Sequence, residues 1–175
     1  IYFWDDPGNK KYKAAYFNVY PNVWRHGDYI LINERGGVVI YGRSDATLNP
    51  GGVRIGTAEI YRQVENIEGI ADSIAVGQNW KNDVRVILFV KMGPGRELTE
   101  GLKDQIRKTI RMNASPRHVP AKIIAVPDIP YTLNMKKVEL SVKKVIEGQA
   151  VQNKDALKNP EVLDYYANLK ELQEK

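Results

Sequence analysis

Near residue 45 the sequence changes character, and the change limits what the chain can build. Ten of its sixteen aromatic residues precede that point (Tyr2, Phe3, Trp4, Tyr12, Tyr16, Phe17, Tyr20, Trp24, Tyr29 and Tyr41), and glycines then crowd between Gly42 and Gly56. An aromatic-dense opening needs a broad surface to pack against, which the aromatic-poor remainder does not offer. Large apolar patches usually mark an interface. Residues 1–45 are therefore expected to be the β-rich end of a larger domain, with a small local aromatic core as the alternative. The start Ile1-Tyr2-Phe3-Trp4 has neither an initiator Met nor the basic and apolar regions of a secretory signal, and reads as internal.

Within 1–45, Tyr29-Ile30-Leu31-Ile32 and Val38-Val39-Ile40-Tyr41 flank a glycine-bearing loop at 33–37, the pattern of a β-hairpin. Asn49-Pro50-Gly51-Gly52 is a turn by local chemistry. Thr57 is a plausible N-cap for a helix with Ile60, Val64 and Ile67 on one face. Residues 74–76 and 84–90 read as strands, and a helix follows Thr99 with Leu102, Ile106 and Ile110 at spacing four. Residues 121–126 form another strand, and Val138, Val142, Val145 and Ile146 the stripe of a third helix. Asn159-Pro160 opens a last helix from Glu161 to about Glu174. The expectation is an α+β unit over 46–148, followed by a polar linker and terminal helix over 149–175.

At 175 residues the chain is one domain, or one domain with pieces of another. No stretch approaches the roughly 18 apolar residues of a membrane span. The absence of cysteine excludes disulfides, thiolate metal sites and a cysteine nucleophile, and suits a reducing, cytoplasmic setting. His26 and His118 are too isolated for a zinc site, so no metal ligands are expected. The formal charge of +5 is spread thinly, which argues against a nucleic-acid partner.

No segment matches a phosphate-cradling P-loop, a serine nucleophile elbow or a paired-histidine metal motif. What remains is a set of polar residues at loops beside glycines. Asp28 follows Gly27 at a strand start, and Arg43 and Asp45 follow the second hairpin strand. Arg54 follows Gly51-Gly52, where missing side chains let a ligand approach the backbone. Lys136 and Lys137 end a loop that starts at Pro130, and Arg111 ends a helix. Each alone has an ordinary structural explanation: strand end, surface charge, solvated helix start, or a cation favoured at a helix C-terminus.

Taken together, Trp24 to Asp28, Tyr41 to Ile60 and Pro130 to Lys136 closely resemble the C-terminal part of the acyl-CoA synthetases of the adenylate-forming superfamily. The opening Tyr-rich segment, Ser115 to Pro120 and Asp128 to Asn134 resemble the branch that activates acetoacetate. The resemblance implies a small C-terminal lid, preceded by the last hairpin of a large N-terminal domain that binds ATP and a carboxylic acid. It implies two half-reactions: acyl-adenylate formation with release of pyrophosphate, then displacement of AMP by the coenzyme A thiol. Asp28 would bind the ribose hydroxyls and Arg43 would help hold the nucleotide. Asp45 would be the hinge about which the lid turns, and Lys136 the lysine that reaches the phosphate and carboxylate oxygens during adenylation. Gly52 would line the pantetheine tunnel, with Arg54 and Arg111 near phosphates of the nucleotide or coenzyme A. Magnesium would accompany ATP mainly through the N-terminal domain.

One position departs from the family pattern. Met135 stands where glycine is usual, so either the loop is reshaped or Lys137 is the lysine that reaches in. The phosphate loop and the acid pocket of the family have no counterpart in this sequence, and the chain alone is expected to be inactive. The rivals are the lid of an acetyl- or propionyl-CoA ligase, a basic binding module, and a catalytically dead relative.

Overall fold

The computed structural model describes residues 3–173; Tyr2 and the expected helix end at Glu174 lie outside them. The first element is a helix, α1 (Lys10–Tyr16), whose entry is held by the Asp6 carboxylate. It accepts hydrogen bonds from the Lys11 and Tyr12 amides, each at 2.8 Å. Around this helix Phe3, Tyr12, Tyr16, Phe17 and Trp24 pack largely edge to face, with neighbouring ring centroids 5.1–5.9 Å apart. The aromatic opening thus makes a local cluster and still leaves apolar surface uncovered. Trp4 is 95% exposed, and Val19, Tyr20, Val23 and Trp24 are at least half exposed.

Strands β1 (Asp28–Ile32) and β2 (Val38–Arg43) form the expected antiparallel hairpin, with a bulge between Tyr29 and Ile30. Its turn is shaped by Asn33, whose Oδ1 accepts from the Arg35 and Gly37 amides at 3.0 and 2.8 Å. Ile30, Leu31, Ile32, Val38 and Ile40 remain exposed.

The second sheet has the order β3-β4-β5, built from β3 (Ile70–Trp80), β4 (Asp83–Met92) and β5 (Lys122–Ala125). β3 and β4 are antiparallel, and β4 and β5 are parallel. The period of two sorts the side chains cleanly. Ile74, Val76, Ile87, Phe89 and Ile124 face a core shared with α4 (Glu139–Ile146) and the C-terminal segment. Ala75, Val86, Leu88, Val90 and Ile123 face a core shared with α2 (Thr57–Val64) and α3 (Glu100–Asn113). α3 is capped by Thr99, whose hydroxyl accepts from the Leu102 amide. The N-cap of α2 is Gly56, one residue before the expected Thr57, with Glu59 Oε1 accepting from the Gly56 amide at 2.8 Å. A Cβ at Gly56 would run into the Tyr41 carbonyl of β2, so the hairpin and α2 meet across a bare glycine. Among the described residues no helix is long and apolar enough to cross a membrane.

The C-terminal segment corrects the expectation of a linker and one α-helix. It contains 3-10 turns at Pro160–Tyr166 and Lys170–Leu172, and Leu157, Val162, Leu163, Tyr166 and Leu172 are buried in the core beneath the sheet. Adjacent buried residues such as Val162 and Leu163 suit a tightly wound segment held by packing rather than a helix with one apolar stripe. Tyr166 is fully buried, stands edge-on to Phe89 at 4.8 Å and donates its hydroxyl to the Asp128 carbonyl at 2.9 Å. Tyr166→Ala is therefore expected to cost about 3–5 kcal/mol, the range for deleting a buried aromatic ring. Denaturant unfolding checks this; a loss below about 1 kcal/mol would mean that the segment is not part of the core.

Candidate functional site

Three loops carry the residues singled out in the sequence. The first lies where the hairpin ends. Arg43 donates from Nε and Nη2 to the two carboxylate oxygens of Asp45, at 3.2 and 3.1 Å, and from Nη1 to the His26 carbonyl at 3.1 Å. This two-pronged pairing is the strong form of an arginine–carboxylate contact. The hydrogen bonds that it donates to Asp45 raise the Arg43 guanidinium above its ordinary range, although partial burial opposes this. Asp28 sits beside the fork, with Oδ2 2.7 Å from His26 Nδ1 and Oδ1 3.9 Å from Arg43 Nη1. Gly27 is required here: its φ is +90°, and a Cβ would collide with the Arg43 guanidinium. Ser44 completes the junction, its amide and hydroxyl both donating to the Gly27 carbonyl at 2.8 and 3.0 Å. Asp28, Arg43 and Asp45 are therefore brought together. A cleft of about 360 Å3 opens there between Tyr16, Trp24, His26, Arg43 and Asp45, within the size range of small-ligand sites. A larger cleft of about 770 Å3 along α1 contains none of the candidate residues.

The second loop runs from Leu48 to Ile55, two buried residues whose backbones exchange hydrogen bonds at 2.9 Å in each direction. At its tip Gly51 and Gly52 both have positive φ, and beyond it Arg54 projects into a groove with Tyr20, Arg25, Tyr29 and Asn49. Among the described residues no hydrogen bond or ion pair engages the Arg54 side chain. The same holds for Arg111, which is exposed in the last turn of α3, and no contact joins Arg111 to the lysine loop.

The third is the lysine loop, which folds as a short hairpin. Tyr131 and Lys137 pair across it, the Met135 amide donates to the Thr132 carbonyl, and the Thr132 amide donates to the Lys136 carbonyl, both at 2.9 Å. This is a three-residue hairpin connection that needs a left-handed residue near its end. Met135 is that residue, with φ +58°. A side chain here occupies the conformation that glycine adopts freely. The C-terminal segment straps the hairpin down, through Leu133 N to Ala156 O at 3.0 Å and Lys158 N to Tyr131 O at 2.8 Å.

The two lysines at its end have different surroundings. Lys136 is exposed, and among the described residues its ammonium makes no hydrogen bond or ion pair. Lys137 is not the solvated helix-start lysine that the sequence suggested. Its Nζ lies 3.0 Å from Asp72 Oδ1, 3.3 Å from Glu65 Oε1 and 4.2 Å above the Tyr61 ring. Tyr131 donates to the other oxygen of Asp72 at 2.6 Å, and Tyr61 donates to Glu139 Oε1 at 2.9 Å. Burial and the neighbouring Glu139 carboxylate push the Tyr61 hydroxyl well above its usual range. Burial and the Asp72 hydrogen bond do the same for Tyr131. Sequence reasoning missed this network because its members are distant in the chain. Among the described residues no three carboxylates or imidazoles come together as a metal-ion site.

The fold that carries these loops is shared with an adenylate-forming enzyme of the acyl-CoA synthetase kind. No protein-family model matches the chain. Acetoacetyl-CoA synthetase from Streptomyces lividans has the same fold, with a TM-score of 0.89 and 43% identity over 99% of this chain and 26% of its own. Acetoacetyl-coenzyme A synthetase of Rhizobium meliloti (strain 1021) is 59% identical over 98% of this chain, and the acetoacetyl-CoA synthetase of Danio rerio is 52% identical over 98%. In sequence and fold the chain is similar to a portion of the acetoacetyl-CoA synthetases. It spans 26% of the length of these relatives, and corresponds to a C-terminal portion of them.

Proposed function

We propose that the full-length protein carrying this chain is a cytoplasmic ligase that joins acetoacetate to coenzyme A at the expense of ATP. In the first step the acetoacetate carboxylate attacks the α-phosphorus of ATP, giving acetoacetyl-adenylate and pyrophosphate. In the second the coenzyme A thiolate attacks the acyl carbon and AMP leaves. The observation that carries this reading is the contrast within the lysine pair. Lys136 is an unpaired cation on a braced hairpin, free to approach phosphate, whereas the adjacent cation is committed to Asp72 and Glu65.

Residues 1–45 are taken as the end of the large domain, 46–148 as the lid and 149–175 as the segment that closes the lid core. Asp28 accepts from the ribose hydroxyls and Arg43 steadies the nucleotide. Asp45 is the pivot, and its grip on Arg43 must loosen or travel with the lid when the domain turns. Lys136 neutralises charge developing at the α-phosphate, a site where positioning and electrostatics do most of the catalysis. Gly52 borders the pantetheine path, and the unpaired guanidiniums of Arg54 and Arg111 are available to phosphates of the nucleotide or coenzyme A.

The test is pyrophosphate–ATP exchange with acetoacetate, acetate and propionate, run on the full-length protein and on the isolated chain. Exchange is expected from the full-length protein with acetoacetate ahead of the other two, and none from the isolated chain. Preference for acetate or propionate would move the substrate assignment, and exchange by the isolated chain would overturn the reading of these residues as a lid.

A further inference from the structure

Gly51 and Gly52 both occupy left-handed backbone, with φ of +57° and +79°. Two adjacent glycines of this kind are the most freely rotating unit a chain can contain, so their tip needs something to fix it. The buried Leu48–Ile55 pair closes the base of the loop but lies away from the tip. The tip is held from a different element. The Gly51 amide donates to both carboxylate oxygens of Asp83, at 2.9 and 3.2 Å.

Asp83 is itself well fixed. It opens β4 immediately after a tight turn in which Lys81 and Asn82 both have positive φ, and its Oδ1 also accepts from the Val84 amide at 2.7 Å. On the other side the Arg117 guanidinium lies where a Gly51 side chain would be. The peptide between Pro50 and Gly51 is thus gripped at its N–H while Gly52 stays clear: a Cβ there would meet nothing within 4 Å. Gly52 opens onto a cleft of about 510 Å3 shared with Asn79, Trp80, Lys81 and Asp83. The carboxylate is exposed at the surface, and the sheet cores do not depend on it.

We propose that Asp83 is a positioning residue for thioester formation, holding the Pro50–Gly51 peptide and, through it, the Gly51–Gly52 turn in the conformation that keeps the coenzyme A path open. This rests on the assignment of Gly52 to the pantetheine path. Asp83 touches neither substrate in this scheme; it acts through the Gly51 amide. Adenylation, which uses the lysine hairpin on other elements, should not sense it.

The experiment compares Asp83→Ala, Asp83→Asn and Gly52→Leu in the full-length protein. KM for coenzyme A is measured in the complete reaction and pyrophosphate–ATP exchange in the first step. Asp83→Ala is expected to raise KM for coenzyme A about tenfold, the scale of one charge-assisted hydrogen bond, with exchange unchanged. Asp83→Asn keeps one acceptor oxygen for the Gly51 amide and should restore most of the affinity. Gly52→Leu, which places a side chain in the open space, should raise the same KM. If Gly52→Leu raises it and Asp83→Ala does not, the positioning role is wrong while the Gly52 assignment stands. Loss of exchange in parallel with coenzyme A affinity in Asp83→Ala would show a structural role and overturn the proposal. If Gly52→Leu leaves the KM untouched, the assignment of the turn falls and the role of Asp83 with it.

Discussion

Lys136→Ala in the full-length protein is expected to slow acyl-adenylate formation by about 100-fold or more, the scale for removing a preorganised charge from a reacting centre. The Lys136 ammonium has no partner among the described residues, so its loss should leave the unfolding midpoint unchanged. Acetylation of the same side chain removes the charge while keeping the stem, and should reproduce the mutation. Lys137→Ala is the contrasting case. Removing an ammonium that is 15% exposed and paired with Asp72 and Glu65 leaves two carboxylates uncompensated. A stability loss of about 1–3 kcal/mol is expected, below the cost of breaking a fully buried pair because Glu65 is half exposed. Pyrophosphate–ATP exchange and denaturant unfolding measured on both variants separate the two roles. Exchange abolished in Lys137→Ala at intact stability, with Lys136→Ala mild, would shift the assignment by one residue. Exchange preserved in both would mean that the loop is not catalytic in this protein.

Asp45→Pro should leave adenylation within a few-fold of the parent and suppress thioester formation by about 100-fold. Proline fixes φ near −65°, so a pivot that must change backbone angles between the two steps is locked. The Arg43–Asp45 fork supplies the necessary control. Asp45→Pro removes the carboxylate as well as the freedom, whereas Asp45→Ala removes the carboxylate alone. If the pivot matters, Asp45→Ala should retain most thioester formation. If the alanine variant is as impaired as the proline variant, the ion pair rather than backbone rotation is what the second step needs. Equal loss of both half-reactions would make Asp45 structural.

Much of this architecture was legible because its signals are local. The apolar runs at 74–76 and 84–90 and the spacing of Leu102, Ile106 and Ile110 led directly to strands and a helix that the structure contains. The positive φ at residue 135 was likewise readable, from a methionine where glycine is usual. What could not be read depends on distant neighbours. Asn159-Pro160 starts a 3-10 turn as readily as an α-helix, and only the Phe89 ring and the core beneath the sheet decide that Tyr166 winds inward. The need for a bare glycine at residue 56 is likewise set by a distant group, the Tyr41 carbonyl. Nothing local separates Lys136 from Lys137. Their difference comes from the pairing of Tyr131 with Lys137, which turns both toward Asp72. The Asp83 clamp on Gly51 was invisible for the same reason, since 32 positions separate donor from acceptor.

The most direct test is a single-turnover reaction in which the Lys136→Ala full-length protein receives preformed acetoacetyl-adenylate and coenzyme A. A lid that presents the lysine hairpin for the first step and the glycine turn for the second has withdrawn Lys136 before the thiol attacks. Acetoacetyl-CoA should therefore form at close to the parent rate, even though the same protein is about 100-fold slower in making the adenylate. Thioester formation slowed as severely as adenylation would mean that one arrangement of the lid serves both steps, and would contradict the division of labour between Lys136 and the Gly51–Gly52 turn.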